Sequence, residues 1–305
     1  MSAEIRNASD SQPKAQSAQL TAHTVSFQGE LGAFSEEGVT QLWDGRAVPV
    51  PHREFVDVVR AVETGATEYG LLPIENTLAG SVIGSYDALA ACEAVHVVGE
   101  TVVPIHHCLL APRGARVERL ASAASHPVAL AQCARFFQTH PHIEARVAYD
   151  TAGAAQEVAA RGDATSAAIA GRAAAARYAL EILAADIEDR SDNQTRFLAI
   201  ARAPVDLEPG TPARTALLVT TANVPGALLR VLQPLAEHGI NLSKLESRPT
   251  GEPWSYRFFV EMEHRSGDPD AAAAIEAIGS VTQSLRVLGS FARWREPVAR
   301  GVQAG

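Results

Sequence analysis

The segment Asn193-Gln194-Thr195-Arg196-Phe197 sets an amide, a hydroxyl, a guanidinium and an aromatic ring side by side, directly before the apolar run Leu198-Ala199-Ile200. That is a ligand-binding composition at the mouth of a strand. Arg196 can fork two hydrogen bonds onto a carboxylate, Thr195 can donate one to a leaving oxygen, and Phe197 can wall a cleft against water. Upstream, Glu75 and Asn76 follow the short buried-strand pattern Tyr69 to Pro73, and Gly80, Ser81 and Gly84 then give the backbone freedom to turn into a helix. Ligands of open α/β sheets collect at the carboxyl ends of strands, which makes Glu75 and Asn76 candidates. Residues Thr24 to Ser35 read as a strand, a turn at Gly29 and Gly32, and a helix start with Ser35 as N-cap before Glu36 and Glu37. Such a junction suits an anion, but its spacing is not the G-x-G-x-x-G of dinucleotide sites. Ser125-His126-Pro127 repeats the strand-then-cap order, aiming Ser125 toward the same cleft, with Gln132 on the helix that follows over 128–139.

These residues need elements to hold them. Helical spacing of Phe55, Val58, Val59 and Val62 predicts a helix to Thr64, and a further helix covers about Ser85 to Ala91. Val95 to Leu110 reads as two strands broken at Pro104, with His106-His107 inside the second. Adjacent strand residues face opposite ways, so this pair cannot share one metal, and packed or hydrogen-bonded histidines are expected. A helix over Thr151 to Arg161, a strand over Ala167 to Ile169, an alanine-rich helix over Arg172 to Tyr178 and a strand over Asp192 to Ile200 complete the alternation. It predicts α/β architecture with largely parallel sheets. Residues 203–213, with three prolines and a glycine, form the clearest linker. Beyond it the order strand, helix, strand, strand, helix, strand is the ferredoxin-like βαββαβ motif.

Composition narrows the classes. A chain of 305 residues, 47% hydrophobic and 20% charged, is long enough for several well-filled globular lobes. A formal net charge of −9 argues against a nucleic-acid surface, so an anionic ligand has to rely on Arg196, helix N-termini and turn amides. Cys92, Cys108 and Cys133 lie far apart in no metal-like spacing, which reads as reduced thiols in a cytoplasmic protein. Residues 1–22 read as a polar, disordered leader without a secretory core, and no run approaches the roughly 18 apolar residues of a membrane span.

Seven short motifs, in order, give the chain a family likeness: Phe27-Gln28-Gly29-Glu30-Leu31-Gly32-Ala33-Phe34-Ser35, Leu72 to Val82, Ser125-His126-Pro127, Ala131-Gln132-Cys133, Asp150-Thr151-Ala152, Ala167-Ala168-Ile169 through Tyr178, and the Asn193 segment. Together they resemble the prephenate dehydratase family, from about Thr24 to about Trp294. Pro225-Gly226-Ala227-Leu228 and Glu246-Ser247-Arg248-Pro249 resemble the amino-acid-sensing ACT domain that follows such catalytic domains. The resemblance implies a two-lobed, periplasmic-binding-protein-like catalytic domain over 23–202, with lobe 1 at about 23–98 and 190–202 and lobe 2 at about 99–189. An ACT domain over 214–295 and a tail over 296–305 would follow. It implies the loss of carbon dioxide and water from prephenate to give phenylpyruvate, with no cofactor or metal. Thr195 is the first candidate to polarise the leaving hydroxyl or relay a proton to it. Glu75 is open to two roles, acid with a raised pKa or orienter of Asn76. Arg196 is expected to anchor the pyruvyl carboxylate, with amides near Gly29 and Ser81. Asn76, Ser125, Gln132 and Asn193 are expected to orient the substrate and Ser35 to line the site, while Phe34 and Phe197 either wall it or pack in the core. In the ACT domain Pro225, Gly226, Ala227, Leu228, Asn241, Leu242 and Glu246, Ser247, Arg248, Pro249 are expected to bind phenylalanine between two copies, in a homodimer or homotetramer. Arogenate dehydratase and a non-catalytic metabolite sensor are the alternatives.

Overall fold

The computed structural model describes residues 23–294, and the leader and tail expected at the two ends lie outside the described residues. Three sheets organise the chain. The first joins β1 (Thr24–Gln28), β2 (Val48–His52), β3 (Tyr69–Asn76), the two-residue β4 (Gly80–Ser81) and β5 (His96–Pro104), with α1 (Phe34–Leu42), α2 (Phe55–Thr64) and α3 (Ile83–Ala91) between them. The second holds β6 (Cys108–Ala111), β7 (Ser122–Ser125), β8 (Glu144–Val147), β9 (Ser166–Ala170) and β10 (Glu181–Ala184). Its helices are α4 (Pro127–Gln132), α5 (Ala134–Thr139), α6 (Thr151–Arg161) and α7 (Arg172–Tyr178). The chain then returns through β11 (Gln194–Ala201), which inserts between β3 and β5 of the first sheet. The last sheet holds β12 (Pro212–Thr220), β13 (Asn241–Pro249), β14 (Tyr256–Arg265) and β15 (Ser284–Ala292), packed on α8 (Ala227–Glu237) and α9 (Pro269–Ser280).

Two α/β lobes followed by a βαββαβ unit is therefore the architecture, and several local readings need correction. The sheets are mixed, not largely parallel: β2, β1 and β3 run parallel, but β11 is antiparallel to β3 and β5, and β6 is antiparallel to β9 and β10. Because β5 keeps its pairing with β11 as far as Pro104, the chain leaves the first lobe at 105–107 rather than near 98. His106 and His107 accordingly sit in the crossing segment, not inside a strand. The helix expected over 128–139 breaks at Cys133 into α4 and α5. The linker ends earlier than read, since Pro212 already pairs with Arg265.

The lobes meet closely where the sequence is smallest. Gly32 has φ +93°, and a Cβ there would lie 2.9 Å from the Cα of Ala174, so the loop before α1 rests on the alanine face of α7 with no room for a side chain. The third domain shares a core with the first lobe: Ala216, Phe259, Leu288 and Phe291 pack with Tyr86, Leu89, Val97 and Leu198. At that seam a Cβ on Gly289 would lie 2.1 Å from the carbonyl oxygen of Val97, which only glycine permits.

Candidate active site

The site begins with the pairing of β3 and β11. Thr195 stands opposite Asn76 and Arg196 opposite Glu75, but Phe197 pairs with Pro73, leaving Ile74 as an extra residue on β3. This bulge inverts the alternation of the strand, as such insertions do beside functional sites. Pro73 and Asn76 consequently turn to the same side, with Thr195 and Phe197, and line a cleft of about 480 Å³ between the lobes. Glu75 and Arg196 turn to the opposite side, where the C-terminal sheet packs.

That placement corrects two expectations. Arg196 does not reach the cleft: it grips Glu261 of the C-terminal domain bidentately at 2.8 and 3.0 Å and touches Glu100 at 3.1 Å. Burial alone would lower its pKa, but Glu261 and Glu100 outweigh it and push the value up. Glu75 is ion-paired with Lys244 at 2.8 Å and lies 3.8 Å from Arg196, so it is not the acid of the cleft.

Within the cleft a chain of amides surrounds Thr195. Asn76 Oδ1 accepts the backbone N–H groups of Leu78 and Ala79 at 3.0 and 2.9 Å. Its NH2 therefore donates to Thr195 Oγ1 at 2.9 Å and to Asn193 Oδ1 at 2.8 Å. The fully buried Asn193 donates in turn to Gln132 Oε1 at 3.0 Å. With its oxygen accepting from Asn76, Thr195 keeps its own proton for the cleft.

The other expected residues divide. Ser35, Ser81 and Gln132 line the cleft with Phe34. Ser35 is the second residue of α1 rather than its cap, which is Ala33. The Ser81 hydroxyl is engaged by Glu246 at 2.6 Å and Lys244 at 2.8 Å, so it ties the cleft wall to the C-terminal domain. Gly29 stands behind the wall, where a Cβ would lie 3.3 Å from Asp150. Ser125 is completely buried and donates to the carbonyl of Ile169 at 2.6 Å; the strand's alternation sends His126, not Ser125, to the cleft. Gln28, His107, His126, Asp150 and Thr151 also line the cleft and were not singled out as site residues. Asp150, named in the sequence only within a family motif, caps α6, where it accepts the Gly153 N–H at 2.8 Å, and burial pushes its carboxyl above the ordinary range. His107 gave no signal, because its contacts come from residues distant in sequence.

Charge in the cleft is unusual for an anion site: among the described residues, none of its lining side chains is Lys or Arg. Positive potential comes from the N-termini of α1 and α6, whose first residues Phe34 and Thr151 both face the cleft. His106, Asp186 and Glu188 come within 4.8 Å of one another. Glu188 already accepts from His106 at 2.8 Å and from the His107 N–H at 2.8 Å, and Asp186 binds Arg172, so the group reads as an ion-pair cluster. The three cysteines are free and buried, and burial pushes the Cys133 thiol up to about 12, which suits inert packing.

The C-terminal residues expected to hold an effector separate as well. Ala227 and Leu228 line a cavity of about 130 Å³ with Asn223, Val224, Tyr256 and Phe258. Gly226, with φ +77°, is the N-cap of α8. Asn241 donates to Glu263 and Leu242 packs into the domain core. Glu246 and Arg248 face the catalytic lobe, Arg248 binding Asp87 at 2.8 Å. Ser247 and Pro249 are exposed on β13, an edge strand of its sheet.

Comparison with known proteins agrees with this anatomy. A model of the prephenate dehydratase family matches residues 25–205, and a model of the ACT domain matches residues 215–280. Arogenate dehydratase 2 of Petunia hybrida is 38% identical over 284 residues, covering 88% of this chain and 71% of that protein. A prephenate dehydratase from Arthrobacter aurescens, solved in complex with L-Phe, superposes with a TM-score of 0.82 at 30% identity, covering 88% of this chain and 90% of that one. GqqA, described as a novel type of quorum-quenching acylase, gives 0.81 at 32% identity, covering 88% and 97%. The cleft motifs fall inside the first matched region and the βαββαβ unit inside the second, and on that ground the chain belongs to the prephenate dehydratase family, with an ACT domain as its C-terminal part.

Proposed function

We propose that the cleft converts prephenate to phenylpyruvate, and that the ACT domain senses phenylalanine. The observation that carries this reading is the Thr195 hydroxyl, whose oxygen accepts from Asn76 and whose proton is free for the cleft. In the reaction the bond to the ring carboxylate breaks, its electron pair enters the ring, carbon dioxide leaves, and the ring C–O pair departs with the hydroxyl. One proton completes water. Aromatisation drives the change, so the protein has to stabilise the departing oxygen rather than supply a strong base. A positioned donor contributes on the order of 10²- to 10⁴-fold. Thr195 fills that role as a polarising donor or as a relay from water.

With Arg196 committed to Glu261, the substrate carboxylates fall to the first turns of α1 and α6, to Ser35 and to the Gln132 amide. Weak ground-state holding of the reacting carboxylate favours its departure. Arogenate is the second reading, favoured by Asp150, a carboxylate suited to an ammonium, in a cleft without Lys or Arg, and by the name of the Petunia relative.

For the effector, the Ala227–Leu228 cavity is small for an aromatic amino acid, and the outer edge of β13 lies beside no other strand of its sheet. We read both as completed by a second copy, in a homodimer or homotetramer. The A. aurescens complex with L-Phe supports phenylalanine as the ligand. The deciding experiment measures phenylpyruvate formed from prephenate and phenylalanine formed from arogenate, each with and without added phenylalanine. Prephenate turnover suppressed by phenylalanine is the expected result. Faster turnover of arogenate would favour the second reading, and no turnover of either would remove the dehydratase assignment.

A further inference from the structure

His107 lies in the segment that crosses between the lobes, 2% exposed, at the cleft wall and edge-on to Phe34 with ring centroids 5.7 Å apart. Its backbone N–H donates to Glu188, its Nε2 lies 3.0 Å from Gln132 Oε1, and its Nδ1 is buried with no hydrogen-bond partner among the described residues. Which nitrogen holds the proton follows from the far end of the amide chain. Two backbone N–H groups fix Asn76 Oδ1 as an acceptor, so Asn76 presents NH2 to Asn193. Asn193 must then present its own NH2 to Gln132, which makes Gln132 Oε1 an acceptor. An acceptor facing His107 Nε2 requires a proton on that nitrogen. The opposite tautomer would set two lone pairs against each other and strand a buried N–H at Nδ1.

We infer that His107 is a positioning residue for the dehydration: as a neutral Nε2–H imidazole it joins Asn193 in holding Gln132 Oε1 and so leaves the Gln132 NH2 for the cleft. Gln132 Nε2 makes no hydrogen bond to another protein group among the described residues, consistent with that assignment. Burial holds the His107 pKa below its ordinary value, although the bond to Gln132 works the other way, so the ring is neutral at pH 7. Without the Nε2–H anchor, Gln132 Oε1 keeps only the Asn193 NH2, and the amide is less firmly held with its NH2 toward the cleft.

The functional half of the inference rests on the dehydratase reading; the tautomer does not. The test is 15N NMR of the imidazole nitrogens in the full-length, 15N-histidine-labelled protein at pH 7, with the His107 signals identified by their loss in His107→Gln. A protonated Nε2 with a bare Nδ1 is expected, whereas an Nδ1–H or imidazolium pattern overturns the inference. In turnover assays His107→Phe is expected to lower kcat/KM at least about tenfold. His107→Gln, which can again offer an N–H to Gln132, is expected to recover most of that loss. Equal losses in both variants, or normal turnover in His107→Phe, would overturn the positioning role. Absence of turnover in the unmutated protein would instead count against the dehydratase reading and leave the NMR result to decide the tautomer.

Discussion

Two residues carry measurable consequences, one in the cleft and one outside it. Thr195→Ala removes the hydroxyl proposed to polarise the leaving oxygen but leaves the Asn76 NH2 with Asn193 Oδ1 and the Gln194 carbonyl as acceptors. Turnover is therefore expected to fall at least about tenfold without loss of stability, and Thr195→Ser to retain most activity. Steady-state kinetics beside thermal melts check both halves. Glu37 on α1 is a different case, wedged between the lobes near Gly171, where burial and then Glu36 raise its pKa to about 7 despite His106 nearby; Arg177 lines the same crevice. Between pH 4.5 and 7 the folded protein keeps a proton that the unfolded chain has released. Its contribution to stability is thus complete below pH 4.5 and is lost as pH rises through 7. Glu37→Gln should accordingly stabilise the protein by up to about 3 kcal/mol at pH 8 and hardly at all at pH 4.5. A stabilisation that does not vary with pH in melts across that range would refute the assignment.

At the scale of elements, one bulge and one glycine decide what the cleft contains. The extra residue Ile74 rotates the end of β3, giving the cleft Asn76 instead of Glu75. A strand read with unbroken alternation puts Glu75 on the same face as Pro73, which is why the sequence favours a catalytic carboxylate that the fold directs elsewhere. Gly32 controls how closely α1 and α7 approach. Gly32→Ala forces a side chain into a left-handed conformation and against Ala174, at a cost of roughly 1–3 kcal/mol. Since the loop it distorts precedes Phe34 and Ser35 at the cleft, KM is expected to rise several-fold more than kcat falls. An unchanged KM would show that the lobes do not depend on this contact.

At the scale of the molecule, the ACT domain is built into the catalytic lobe through Arg196, Glu261, Glu100 and Arg214, with Lys244 and Glu246 reaching Glu75 and Ser81. Glu261 is 3% exposed and pairs with Arg196, so removing Arg196 leaves a buried carboxylate without its cation, while Glu100 keeps Arg214. Arg196→Met is expected to destabilise the protein by about 3–5 kcal/mol and to split a single thermal transition into two. Turnover at low temperature should persist, because Arg196 faces away from the cleft. A large rise in KM at unchanged stability would instead return Arg196 to the substrate. The same seam offers a physical route for an effector to act, since Ser81 belongs to both the cleft wall and the polar network of the ACT domain.

Most of the order of strands and helices, apart from the edge strands β2, β8 and β10, together with the βαββαβ unit and many residues near the cleft, was legible in the chain, because hydrophobic period, caps and glycine turns act over a few residues. Asn76 ends β3, Gln132 ends α4, and Thr195 and Phe197 lie in the first half of β11, so all four stand at the cleft wall. What the tertiary structure alone decided is direction. Arg196 and Ser125 look like cleft residues by type and neighbourhood, yet one binds Glu261 and the other the Ile169 carbonyl, partners 65 and 44 residues away. His107 entered the site unannounced because Gln132 and Glu188 find it across the hinge. Side-chain direction depends on bulges and on long-range partners, and neither is encoded within the few residues that set a helix or a strand.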